Sequence, residues 1–278
     1  MDIRLFGSFE AHRGQQKLNL PTRKAESLLA YLILNPTAHS RTKLARLFWP
    51  DAEPAAARAS LRSALSGVRR ILAADLLLVD RDSLRLNPEF ELWVDTEVFR
   101  ASATRFCEDL HPDPNALDLS LYRADLLSSR DDDWLRVERE KLRQLYRDAL
   151  LRLVRLARTR GDFESGILYS KRLLESEPAN EAAHQHLMFC HAALGHRDDA
   201  LAQARECREA LVAELDAEPS LETRKLVEWI RQTSAQARRP EASITNLPIP
   251  LTSFVERPDA VEAITRFLGS ARLVALTG

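Results

Sequence analysis

The chain is poor in the residue patterns that covalent, redox or cofactor chemistry requires. Its three cysteines, Cys107, Cys190 and Cys207, lack CxxC spacing. They read as reduced core thiols of a cytoplasmic protein. No GK[ST] triplet, nucleophilic serine elbow, paired catalytic acids or dinucleotide fingerprint occurs, so neither an enzyme nor a cofactor is expected. Met1-Asp-Ile-Arg-Leu-Phe6 turns polar too early for a signal peptide, and no apolar run approaches the roughly 18 residues of a membrane span. A dominant charge is missing too, because 40 Lys/Arg face 41 Asp/Glu for a net of −1. The balance is uneven along the chain: residues 1–95 hold 14 Lys/Arg against 11 Asp/Glu, a net of +3, which leaves −4 for the rest. That excess permits nucleic-acid binding without establishing it. With 278 residues, 45% apolar and 29% charged, about two globular domains are expected.

One local absence is more telling: no acid occurs between Ala55 and Ala74. At helical spacing Leu61, Leu65, Val68 and Leu72 form an apolar stripe, widened by Ala64 and Ile71. The other face carries Arg58, Arg62, Ser63, Ser66, Arg69 and Arg70, with Gly67 expected there as well. Arginine can fork onto guanine edges or clamp phosphates, and small residues let a backbone come close, so this helix suits the DNA major groove. A solvated arginine-rich helix is the competing reading.

The surrounding order gives the helix a context. Ile3 to Glu10 alternates as a strand, and Lys17–Leu20 follows a turn at Arg13-Gly14, which predicts an opening β-hairpin. Leu28, Leu29, Leu32 and Ile33 mark a helix from about 23 to 34, which Pro36 ends. Ser40 is placed to cap a second helix through Leu44, Leu47 and Phe48, closed by Trp49-Pro50. After the arginine helix come two short strands, 76–80 and 83–86. Hairpin, three helices and hairpin is the order of a winged helix-turn-helix, in which the third helix enters the groove. The hairpin from Arg81 to Arg85 is then the wing, with Asp80 and Asp82 opposing its phosphate contacts.

From Asp95 onward the chain reads as successive helices. The longest, from Trp134 to about Arg160, has apolar Leu135, Leu142, Leu145, Leu150, Leu153, Val154 and Ala157. Gly161-Asp-Phe163 recurs 34 residues later as Gly195-His-Arg197, Ile167 maps onto Leu201, and Pro178 ends the first helix pair. That period with glycine at the inter-helix turn is the tetratricopeptide signature, and an ordinary helical bundle is the alternative. His184, His186, Cys190 and His191 crowd one helix. His184 and His191 are about 10 Å apart along it, too far for one ion, so a helical-repeat face and no metal site is expected. Asp131-Asp-Asp133 is read as a cap and favourable charge at the long helix's start.

Several segments carry a family resemblance. Leu5-Phe-Gly-Ser-Phe-Glu10, Arg23-Lys-Ala-Glu-Ser-Leu-Leu-Ala-Tyr-Leu32, Leu44-Ala-Arg-Leu-Phe-Trp-Pro50 and Ala57-Arg-Ala-Ser-Leu-Arg-Ser-Ala-Leu-Ser-Gly-Val-Arg-Arg70 resemble the OmpR-type winged helix of SARP/AfsR-like bacterial activators. Many relatives have Asn where this chain has Ala59, which removes one polar contact. Leu121-Tyr-Arg-Ala-Asp-Leu-Leu127, Trp134-Leu-Arg-Val-Glu-Arg-Glu-Lys-Leu142 and Leu211-Val-Ala-Glu-Leu-Asp-Ala-Glu-Pro-Ser-Leu-Glu-Thr223 resemble the early helix, the long helix and the closing motif of the bacterial transcriptional activation domain. Asn246 to Arg257 and Arg272-Leu-Val-Ala-Leu-Thr-Gly278 resemble the entry to an NB-ARC/STAND ATPase domain, cut off where a P-loop would begin.

The expected fold is therefore mainly α with small β-hairpins. A winged helix-turn-helix over 1–95 leads into a tetratricopeptide-like activation domain over 96–235. A linker over 236–252 and the start of a nucleotide-binding domain over 253–278 follow. The resemblance implies a sequence-specific activator on double-stranded DNA that recruits RNA polymerase, with a homodimer on DNA as a further expectation. The DNA-binding candidates are Arg41, Lys43, Arg58, Ser60, Arg62, Ser63, Ser66, Arg69, Arg70, Arg81 and Arg85. Trp49, Asp51 and Glu53 are candidates for touching polymerase. A tetratricopeptide-type protein adaptor, or the sensory fragment of a STAND ATPase regulator, is the alternative.

Overall fold

The computed structural model describes residues 1–236. The expected nucleotide-binding segment lies outside them, as does the expected linker apart from Gln236. The stretch read as one strand from Ile3 to Glu10 is broken. β1 (Asp2–Arg4) and β2 (Glu10–Arg13) pair antiparallel, Ile3 opposite Ala11, because Gly7 takes φ +90 and reverses the chain. Such a φ is open to glycine at little cost. β3 (Gln16–Leu18) pairs with β2 through the Gly14 turn, as the sequence predicts.

Three helices follow. α1 (Arg23–Leu34) is capped by Thr22, whose side chain accepts from Ala25 N, and it buries Leu28, Leu29, Leu32 and Ile33. β4 (His39–Ser40) leads into α2 (Arg41–Phe48), where Ser40 accepts from Lys43 N as expected. Leu47, placed on the buried stripe by the sequence, is 41% exposed. α3 (Pro54–Ile71) has Pro at its first position, where the missing N–H costs nothing. Leu61, Leu65, Val68 and the capping Leu72 are all buried. Each such side chain contributes roughly 1.5–3 kcal/mol of burial before chain entropy is counted. β5 (Leu77–Val79) and β6 (Ser83–Leu86) form the expected hairpin, and β4 adds to it as a third strand that the sequence did not mark.

β7 (Trp93–Val94) pairs parallel with β1 and passes directly into α4 (Asp95–Glu108). Asp95 is buried, and its carboxylate accepts from Leu5 N at 2.8 Å, Phe6 N at 3.1 Å and Thr96 N at 2.8 Å. Burial pushes this carboxyl above the usual aspartate value, while those N–H groups and Arg123 pull it back. The early helix expected over 121–127 is absent. A 3-10 turn ends at Leu121, and Leu126 bridges to Phe6. Backbone bonds from Leu127 N to Leu5 O and from Gly7 N to Asp125 O make this segment an extra edge of the N-terminal strand region.

α5 (Asp133–Arg160) is the spine of the helical part and buries the expected positions except Leu145, which is half-buried. Arg139 donates to the carbonyls of Leu126, Leu127 and Arg130, and Arg143 forks onto Asp125. Asp132 precedes α5 but makes no side-chain cap, contrary to the expectation. Its carboxylate turns to α1 instead, accepting from Ser27 Oγ at 2.9 Å and Lys24 Nζ at 3.2 Å, beside an Arg130–Glu26 pair. Trp134 meets Tyr31 edge-on at 5.2 Å and lies 6.2 Å from Phe48. The start of α5 is therefore seated on α1 and α2.

α6 (Phe163–Ser176), α7 (Glu181–Ala193), α8 (Arg197–Leu215) and α9 (Leu221–Gln236) complete the order. The 34-residue recurrence corresponds to two reversals, α5 to α6 and α7 to α8, with Gly161 at φ +73 and Gly195 at φ +79. Glu181 accepts from Ser220 N at 2.7 Å and from the Thr223 hydroxyl, which fastens the closing motif to α7. Cys190 and Cys207 are buried and Cys107 half-buried, all as free thiols. Mainly helical architecture with small β elements is the class the sequence indicated.

Candidate nucleic-acid interface

α3 spans about 27 Å at 1.5 Å per residue. Its inner stripe is fixed by the core, so its outer face has little freedom. Arg58, Arg62, Ser63, Ser66, Arg69 and Arg70 are all exposed, and Ser60 is half-buried. Arg58, Arg62, Ser66 and Arg69 succeed one another at steps of four, four and three, which places them on one ridge. The helical part does not cover Arg62, Ser63 or Ser66. Between α3 and the hairpin runs a shallow groove of about 460 Å³, lined by Arg41, Arg62, Ser66, Arg69 and Arg70 together with Leu65, Ala74 and Val79.

Gly67 does not belong to this face. It is buried, and a Cβ there would sit 2.7 Å from Cγ of Pro21. The glycine admits Pro21 against the inner side of α3, so the expectation that it lets DNA approach is corrected.

The cations differ in how they are held. Among the described residues, Arg58, Arg62 and Arg70 have no ion pair or side-chain hydrogen bond, nor do Lys43, Arg81 and Arg85. Arg69 donates Nε to Ala74 O at 3.0 Å, and half-buried Arg41 donates to Asp80 O at 3.1 Å. These two keep their charge but lose part of their reach. Arg41 N also bonds Asp82 O, which ties the start of α2 to the β5–β6 hairpin. At the hairpin tip Arg81 and Arg85 are exposed beside exposed Asp80 and Asp82. Those acids offset much of the local positive potential there. Arg13, which the sequence did not single out, donates to Leu72 O at the α3 C-terminus. A cation there is favourable to the helix dipole.

The loop before α3 separates the other candidates. Asp51 and Glu53 are exposed, and Glu53 occupies the N-cap without a side-chain bond. Trp49 is half-buried and packs on Phe48 with ring centroids 6.1 Å apart. Away from this region, His184 is a structural side chain. Its Nε2 bonds Pro178 O at 2.8 Å and its Nδ1 lies 2.6 Å from Gln203 Nε2.

A small-stranded, three-helix N-terminal part leads into stacked α-hairpins. Residues 94–231 match the model of the bacterial transcriptional activator domain. The fold is similar to that of Mycobacterium tuberculosis EmbR, solved in complex with a low-affinity phosphopeptide. The TM-score is 0.62 at 20% identity, over 84% of this chain and 65% of EmbR. The chain thus spans a little under two thirds of the EmbR chain, and the likeness is one of fold. No curated protein sequence matches it. Among the described residues, no helix is long and apolar enough to cross a membrane.

Proposed function

We propose that this protein is a sequence-specific, double-stranded-DNA-binding activator of transcription acting in the cytoplasm. Residues 1–95 act as a winged helix-turn-helix, and 96–235 as a tetratricopeptide-like partner domain. Arg58, Arg62, Ser63 and Ser66 of α3 meet base edges in the major groove, with Ser60 at the margin. Lys43, Arg69, Arg70, Arg81 and Arg85 neutralise phosphates, and Arg41 holds the wing against α2. Exposed Asp51 and Glu53, beside half-buried Trp49, offer RNA polymerase an acidic loop, and a second copy binds a repeated half-site.

One observation carries this reading: an exposed, acid-free ridge whose arginines have no counter-charge among the described residues. An arginine that is fully charged and unpaired is free to exchange condensed counterions for phosphates. A groove about 12 Å wide admits a helix of about that diameter. Selection of bound sequences from random duplex DNA with the full chain, followed by a salt titration, tests the proposal. Five phosphate contacts give a log K against log salt slope of roughly −4.5 on B-DNA. No enriched sequence together with a slope near zero would refute DNA recognition.

A further inference from the structure

The reversal between α7 and α8 brings together three side chains from one nine-residue stretch. α7 ends at Ala193, the chain turns through Gly195 at φ +79, and His196 N bonds His191 O at 2.8 Å. His191 lies in the last turn of α7, His196 is the N-cap residue of α8, and Asp199 lies in its first turn. Their ligand atoms lie within 4.8 Å of one another. His191 Nδ1 is buried without a hydrogen-bond partner among the described residues, and Asp199 Oδ2 stands 4.0 Å from it. That gap is too long for a hydrogen bond. His196 makes no side-chain capping bond either.

We propose that His191, His196 and Asp199 bind a borderline divalent transition-metal cation such as Zn(II), through two imidazole nitrogens and one carboxylate oxygen. Two nitrogen donors disfavour Mg(II) and Ca(II), which take oxygen ligands. Ligands about 2.0–2.1 Å from a tetrahedral ion are about 3.3 Å apart, so the present spacing must close by about 1.5 Å at most. His196 and Asp199 are exposed and free to supply that movement by side-chain rotation, whereas His191 is held by packing. Solvent supplies the fourth ligand. Lys171 and Glu206 act on His191 with opposite sign, so the surroundings are not one-sidedly cationic.

Other histidines are poorer ligands. Both ring nitrogens of His184 are engaged, His39 Nε2 is bonded to Asn35 O, and His186 faces Arg158 and Arg155. A bound ion would staple the end of α7 to the start of α8 and stabilise the folded chain by mass action.

The test uses the full chain, free of affinity tags and stripped with EDTA. It is titrated with Zn(II) by calorimetry and with Co(II) by visible absorption. The expected result is one saturable equivalent, visible d–d bands for Co(II), and a Tm that rises with Zn(II) and falls back with EDTA. H196Q and D199N should each weaken Zn(II) by roughly tenfold or more, while H12Q leaves it unchanged. Both variants alter exposed side chains, and circular dichroism in EDTA verifies their helix content. Absence of saturable binding, or wild-type affinity in both H196Q and D199N, overturns the proposal.

Discussion

Replacing Asp95 by Asn separates two accounts of a residue at the first position of α4. If it serves only as a negative charge at a helix N-terminus, it contributes about 0.3–1 kcal/mol. The structure gives it more to do. At 1% exposure it accepts three backbone N–H groups, two of them from Leu5 and Phe6, about 90 positions earlier in the chain. Asn retains one acceptor oxygen and turns an NH2 toward a strand N–H, so at least one buried donor is stranded against another donor. An unsatisfied buried donor costs about 1–3 kcal/mol, and the donor–donor contact adds to it. The expected loss is about 2–4 kcal/mol. Asp95→Ala strands all three donors and costs roughly 3–9 kcal/mol on the same scale. That is comparable to the 5–15 kcal/mol of a whole domain. Urea unfolding of D95N at pH 7, followed by far-UV circular dichroism, measures the difference. A loss under about 1 kcal/mol with an unchanged m-value would reduce Asp95 to a helix-end charge and refute the hub.

Three further changes test other parts of the molecule. Arg62→Ala should lose about 1–3 kcal/mol of base discrimination, whereas Arg70→Ala should weaken all duplexes alike and flatten the salt slope by about one unit. Identical footprints for both variants and the wild type count against these roles. Gly67→Ala gains about 1 kcal/mol of helix propensity but drives a Cβ to 2.7 Å from Pro21 Cγ. A proline ring cannot swing aside, so overpacking of about 1–3 kcal/mol wins and Tm falls; an unchanged or raised Tm removes the Pro21 contact from the argument. His186 is pushed down from 6.5 to about 4, first by burial and then by Arg158 and Arg155. Because its folded value lies below the unfolded one, the neutral ring's stability is fully present above 6.5 and is lost as pH falls toward 4. That loss is at most about 3 kcal/mol before its partial exposure is discounted. H186Q should flatten the decline between pH 7.5 and 4.5 in urea titrations, and equal declines would show that His186 is not its source.

What could be read in the sequence was local. The stripes on α1 and α3 and the cap at Ser40 are patterns of neighbours, and so are the glycines at 161 and 195. Each depends on residues within one or two turns. What could not be read depends on distant partners. The strand from Ile3 breaks because Gly7 turns the edge toward Asp125 and Ser128. Residues 121–127 stay out of a helix because Leu126 and Leu127 bond the N-terminal strand region. Asp132 looks like a cap until Lys24 and Ser27 come within reach, and Gly67 looks like part of the outer face until Pro21 arrives. In each case a local preference worth about 1 kcal/mol yields to a tertiary bond or contact of similar or larger size.

The same distinction governs the arginines, which the chain uses in two opposite ways. On α5, Arg143 and Arg147 are paired with carboxylates, Arg139 and Arg152 donate to carbonyls, and Arg158 lies 4.3 Å from the Phe189 ring centroid. Their charge is used within the fold, and many of their donors are occupied. On α3, Arg58, Arg62 and Arg70 are exposed and have no side-chain partner among the described residues, on a helix whose other side is locked in the core. Composition cannot separate these two uses, since both helices are rich in arginine. Partners can. An unpaired guanidinium that cost the fold nothing to leave unpaired has no internal desolvation or broken pair to repay when an anion arrives. On this ground the proposed DNA contact is placed on the ridge of α3, and the more heavily charged α5 is read as scaffold.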